Sequence, residues 1–197
     1  MFDISIKETL GIITILIVIS QVYLYFRSIV RWETKLHVYT KLIWLILTWI
    51  GFIIQMQAWG WPWAWVLWAT SLTQFVSILL WLKYGISSIT KFDTCLLVLA
   101  LLCIPVYLWV EDKIYALIFV IFIDFLWYIP TYRKTFQNPY TENILVWCIS
   151  NTKYFIAMLA LTQYSFYTLA YPMFLFWANM VLIGIMYFWR KNKKNPQ

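Results

Sequence analysis

Seven apolar runs divide this chain, and basic residues fill every second gap between them. The runs cover about 9–26, 42–58, 63–82, 94–110, 114–129, 144–161 and 166–189. A helix crossing the bilayer needs ~20 apolar residues, with ~17 as the lower end. Each run therefore reads as one span. With 63% hydrophobic and 12% charged residues, a 197-residue water-facing domain could not bury the apolar surface. Lipid has to be the solvent. The expected fold is an all-α membrane protein of seven transmembrane helices in one domain, 1–197.

The basic residues orient it. Arg27, Arg31, Lys35 and Lys41 follow the first run, and Lys83 and Lys91 follow the third. Arg133 and Lys134 follow the fifth, and Arg190, Lys191, Lys193 and Lys194 follow the seventh. At the other ends stand only Lys7 and Lys113. A missed or extra span would scramble this alternation. Loops rich in Lys and Arg stay in the cytoplasm. The N-terminus is thus expected outside, and the C-terminus inside with a basic tail at 190–197. The net charge of +7 then marks topology rather than a nucleic-acid partner. Asp3, Lys7 and Glu8 precede the first run and no small-residue cleavage site follows it, so it is expected to remain as a span. Compact loops suit a bacterial inner (cell) membrane. Trp59, Trp61, Trp63, Trp65 and Trp68 crowd the outer end of spans two and three, where indole prefers the headgroup layer. Gly60-Trp61-Pro62 there reads as a tight turn.

Two charges sit where none is expected. Asp124 lies in the fifth run and Lys153 in the sixth. A charge at bilayer depth costs at least ~2.5 kcal/mol, so it faces the bundle interior and finds a partner. Counted from the inner ends of their spans, the two differ in depth by ~5 Å, a gap that a lysine side chain covers. Consecutive spans are usually neighbours, so an ion pair is expected. It would serve packing, or an ion relay or solute anchor. Asn151 is on another face of the sixth span from Lys153. Asn179, Gln21, Gln55, Gln57 and Gln74 are further polar groups in or at the ends of spans. Asp124, Lys153, Asn179, Asn151, Gln21 and Gln74 together form the candidate substrate or ion pathway.

Catalytic chemistry is not in evidence. There is no nucleophile with a base, no paired carboxylates and no HExxH or CxxC spacing. His37 is the lone histidine, in a basic loop, and Cys95, Cys103 and Cys148 read as small buried hydrophobes. Neither an enzyme, nor a metal, nor a cofactor is expected. A retinal on Lys153 is conceivable, but that lysine is on span six rather than the last.

A shift of 103 residues superimposes the two ends of the chain. Tyr25 falls on Tyr128, Arg31 on Lys134, Trp44 on Trp147 and Tyr84 on Tyr187. Gln21 falls on Asp124 and Thr48 on Asn151. The halves are repeat one at about 9–84 and repeat two at about 114–189, joined by a linker span at about 94–110. An odd linker gives both halves the same orientation, a parallel repeat about the membrane normal.

This 3-1-3 layout resembles the PQ-loop superfamily, which includes the SWEET and SemiSWEET sugar carriers. The sharpest local piece is Tyr128-Ile-Pro-Thr-Tyr-Arg-Lys, where Pro130 matches the family proline and Thr131 stands in place of its glutamine. The resemblance makes Pro130-Thr131 a PQ-loop-like turn at the inner end of the span, with Arg133, Lys134 and Glu142 in the loop that follows. Trp177-Ala-Asn-Met-Val-Leu-Ile-Gly is similar to the family's last repeat helix, so the resemblance implies that Asn179 lines a central pocket. The first half departs, with Arg27 and Val76 at the positions equivalent to Pro130 and Asn179. The resemblance implies a carrier that moves a polar small solute by alternating access. The partners are then the bilayer, that solute and, as an option, a homo-oligomer. The rival reading is a non-transport receptor, scaffold or assembly protein of the same fold.

Overall fold

A computed structural model describes residues 4–30, 36–61, 63–86, 90–140 and 143–192. Arg31, Lys35, Pro62, Glu142 and residues 193–197 lie outside the described residues, as do the side chains of Tyr25, His37, Tyr84, Pro130 and Lys134. Among the described residues seven helices follow one another: α1 (Ile4–Val30), α2 (Val38–Gln57), α3 (Trp63–Tyr84), α4 (Lys91–Trp109), α5 (Ile114–Gln137), α6 (Ile144–Ala160) and α7 (Phe166–Asn192). The only strands among the described residues are a two-residue parallel bridge, Leu36–His37 (β1) against Gly85–Ile86 (β2). It ties the segment after α1 to the segment after α3.

Local chemistry sets the helix ends. Thr90 caps α4 in a reciprocal box with Asp93, which satisfies two otherwise orphaned amides. Asn143 caps α6 through Leu145 N–H. The Asp112 carboxylate accepts from Ile114 N–H at the start of α5. Arg133 lies in α5, which continues through Pro130 and Thr131 to Gln137. The PQ-loop-like turn expected at Pro130-Thr131 is therefore helix. Thr135 Oγ1 donates back to Thr131 O inside it. The chain turns instead at Asn138-Pro139, because a residue before proline is pushed out of the helical region. Pro105 and Pro172 are likewise inside helices.

Among the described residues, five helices carry stretches long and apolar enough to cross a membrane, in α1, α3, α4, α5 and α7. The other two expected spans are shorter apolar helices, Lys41–Gln57 and Ile144–Ala160. The 17 residues of α6 reach ~25 Å, against ~30 Å of hydrocarbon. The outward faces agree with a lipid environment. Leu16, Ile19, Leu72, Phe75, Leu101, Phe122 and Val181 are all about half exposed. So continuous an apolar surface is untenable in water, and the chain reads as an integral membrane protein.

Packing departs from chain order. α3 packs on both α1 and α2, and α7 packs on both α5 and α6. α1 packs on α6, and α2 makes a lesser contact with α5. α4 packs on α2 and α5, burying Leu96, Ala100 and Cys103. Of the clustered tryptophans, Trp59 and Trp68 are exposed, whereas Trp63 is fully buried, edge-on to Tyr154 and Tyr171. In the turn between α2 and α3, Trp59 takes the left-handed conformation (φ 56°), not Gly60. Gly60 is needed for close approach, since a Cβ there would overlap the Gln55 side chain.

Candidate functional site

A cavity of about 230 Å3 lies between the helices of the two ends of the chain. Its walls come from α1, α2, α3, α5, α6 and α7. α4 contributes none of the lining residues. The walls are part polar and part aromatic. Gln21, Thr70, Thr73 and Gln74 come from the first half, and Ser150, Lys153 and Asn179 from the second. Trp44, Trp147, Tyr128 and Tyr154 supply ring faces. Lys41 is a second cationic wall residue, and among the described residues the wall holds no Asp or Glu.

Four of the six pathway candidates thus meet in one place: Gln21, Gln74, Lys153 and Asn179. Helical spacing explains the grouping. Ser150 and Lys153 are three residues apart on α6 and Thr70 and Gln74 four apart on α3, so each pair shares a face. Gln21 Nε2 donates to Ser150 Oγ at 2.8 Å, joining α1 to α6 at the cavity wall. Tyr128 Oη donates to Asn179 Oδ1 at 2.7 Å, which orients that amide. Lys153 is 7% exposed, and its ammonium lies 4.5 Å from the Tyr154 ring centre. Trp44 Nε1, Gln74 Oε1 and Asn179 Nδ2 are buried and have no hydrogen-bond partner.

The other two candidates lie elsewhere. Asn151 is buried with its Oδ1 unpartnered, off the cavity wall. Asp124 is 3% exposed, and its Oδ2 accepts a 2.6 Å hydrogen bond from Tyr171 on α7. Among the described residues no ion pair joins Asp124 to Lys153, so the expected contact pair is not formed. The reason lies in the packing order. The expectation took α5 and α6 as neighbours because a short loop joins them, but α7 packs on both, and each charge meets an aromatic partner instead.

Ties between the two ends of the chain gather at one end of the helices. Thr162, after α6, donates through its N–H to Trp61 O at 2.9 Å and through Oγ1 to Trp59 O at 2.8 Å. Lys7 on α1 donates to Leu161 O, and Gln55 on α2 to Tyr167 O on α7. All these ties sit at the end holding the α2–α3 and α6–α7 turns. The cavity residues of α2 lie in its first two turns, away from that end, and those of α6 run from its first turn to just past its middle. Just outside the spans, the Asp112 carboxyl accepts from Tyr167 Oη at 2.5 Å. That bond, with the one from Ile114 N–H, holds the Asp112 carboxyl below the usual carboxylate range.

Sequence reasoning missed the aromatic half of this site. Tyr128, Trp44 and Trp147 carried a signal, since all three appeared in the 103-residue match. Tyr154, Tyr171 and Ser150 carried none, because aromatic and small polar residues in an apolar run read as ordinary packing. Lys7 reads as a terminal topology residue, yet it is 5% exposed and lies over the Tyr164 ring. Comparison of the chain with family models, with curated proteins and with solved structures gave no match.

Proposed function

We propose that this chain is a small carrier of the PQ-loop and SWEET type, moving a polar small solute by alternating access. The observation that carries the reading is the cavity whose walls draw on both halves and leave out α4. Two parallel three-helix repeats about a linker helix would build such a cavity at their interface. The packing has the matching pattern. α1–α3 and α2–α3 correspond to α5–α7 and α6–α7, and α1–α6 corresponds to α5–α2. Trp44 and Trp147, equivalent under the 103-residue shift, both stand on the cavity wall. With the N-terminus outside, the tied end faces outward, and the cavity, which reaches from mid-helix toward the starts of α2 and α6, is read as open to the cytoplasmic side. The state is then inward-facing, and transport breaks the outer ties at Lys7, Gln55 and Thr162 while the inner ends close.

Purified protein in proteoliposomes tests this, with uptake or counterflow of a broad panel of small sugars, amino acids and organic acids. We expect saturable movement of at least one class. In a background lacking the native cysteines, Thr73→Cys should react with impermeant thiol reagents from both membrane sides under turnover. Reaction from one side only, together with no transport in the panel, refutes the reading and favours a receptor or scaffold.

A further inference from the structure

We infer that the cavity is a binding site for a small organic anion whose carboxylate sits on Lys153. The inference rests on the carrier reading for the solute's passage, but not for its binding. The first argument is charge. Lys153 is more than nine-tenths buried and stands on the cavity wall. Among the described residues its one contact is the Tyr154 ring, and it has neither hydrogen bond nor ion pair. A ring face offsets only part of the cost of burying an ammonium. Asp124, the acid expected to neutralise it, is turned to Tyr171. Among the described residues no acid stands on the wall, so the occupant is the source of the missing counter-charge.

The second argument is the balance of donors and acceptors. Tyr128 Oη occupies Asn179 Oδ1, so the amide presents its unpartnered Nδ2. Trp44 Nε1 is a second unpartnered donor. With the ammonium, that makes three donor groups, against two acceptors on the wall, the buried Gln74 Oε1 and the Oε1 of Gln21, whose Nε2 is spent on Ser150. A carboxylate offers about four lone-pair sites and no proton, which answers that surplus. A neutral polyol brings a proton with every oxygen and would leave several unpaired, a costly outcome in a buried site.

Size and the remaining walls set the body of the ligand. An apolar cavity of ~150 Å3 takes benzene, so about 230 Å3 seats a ring-sized body together with a carboxylate. Val18, Val22 and Trp147 give that body an apolar bed. Gln74 Oε1 accepts from one hydroxyl or N–H on it. The solute class is a small monocarboxylate, aliphatic or aromatic, with at most one or two further polar groups.

The test is a matched panel on the purified full chain in detergent micelles. Acetate, lactate and benzoate are compared with acetamide, lactamide, benzamide and glucose at constant ionic strength, by ligand-induced shift of the melting midpoint. Charged hydrogen bonds predict that at least one carboxylate binds about tenfold or more tightly than its own amide. That preference should vanish in Lys153→Gln and persist in Lys153→Arg. If Lys153→Gln does not fold, Trp44→Phe replaces it, and it should weaken the carboxylate without weakening the amide. Amides or glucose binding as tightly as the carboxylates, or no compound shifting the midpoint, overturns the inference. So does a preference that survives Lys153→Gln or, where that variant does not fold, one that Trp44→Phe leaves undiminished. Carboxylate binding without uptake in proteoliposomes keeps the site and removes the carrier; glucose uptake without carboxylate binding does the reverse.

Discussion

The separation of Asp124 from Lys153 makes a sharp prediction about energetic coupling. Asp124 Oδ2 and Tyr171 Oη are 2.6 Å apart and fully buried. Interhelical hydrogen bonds inside membranes couple by ~0.6 kcal/mol on average and up to ~1.7. An acidic acceptor and a short distance place this one at the upper end, so we expect ~1–2 kcal/mol. Tyr171→Phe leaves a buried carboxyl without its donor, and Asp124→Leu leaves a buried hydroxyl without its acceptor. Each should destabilise by ~1–3 kcal/mol. In the double variant neither group is orphaned, so its cost should fall short of the sum by the coupling energy. The parallel cycle, Asp124→Leu with Lys153→Met, should be additive to within ~0.5 kcal/mol, as for groups that share no contact. The assay is reversible unfolding in mixed micelles, followed by tryptophan fluorescence or far-ultraviolet circular dichroism. Coupling of more than ~1 kcal/mol between positions 124 and 153, or none between 124 and 171, would refute the reasoning.

Three further outcomes follow from the ends of the helices. Reporters fused after the C-terminus should read cytoplasmic and those inserted at Trp59–Trp61 external; a cytoplasmic signal from the Trp59–Trp61 turn would overturn the orientation. Gly60→Ala should lower stability by ~1–2 kcal/mol, the worth of an interhelical bond, because the new Cβ displaces Gln55, whose Nε2 is tied to Tyr167 O; an unchanged unfolding midpoint would show that Gln55 can move freely. The Asp112–Tyr167 tie should depend on pH. The depressed carboxyl contributes fully above the usual carboxylate value near 3.8 and loses its contribution as pH falls below that value. The stability difference between wild type and Tyr167→Phe should therefore be constant at neutral pH and shrink in acid. A difference that grows in acid contradicts the assignment.

The helices and their membrane setting were legible in the sequence, because each depends on local composition, whereas α5 runs eight residues past the expected 129 to Gln137. A run of apolar residues calls for lipid whatever its neighbours are. The polar residues at depth were legible for the same reason: Gln21, Gln74, Lys153 and Asn179 are conspicuous in apolar runs. Which of them meet was decided only by tertiary packing. α7 packs on both α5 and α6, so Asp124 found a tyrosine 47 residues away instead of the lysine on the next helix. The same packing turned Trp63 inward from the expected aromatic belt and brought Lys7 to a carbonyl 154 residues away. Periodicity and hydropathy describe one helix at a time, whereas the partners of a buried polar group depend on which helices lie beside it.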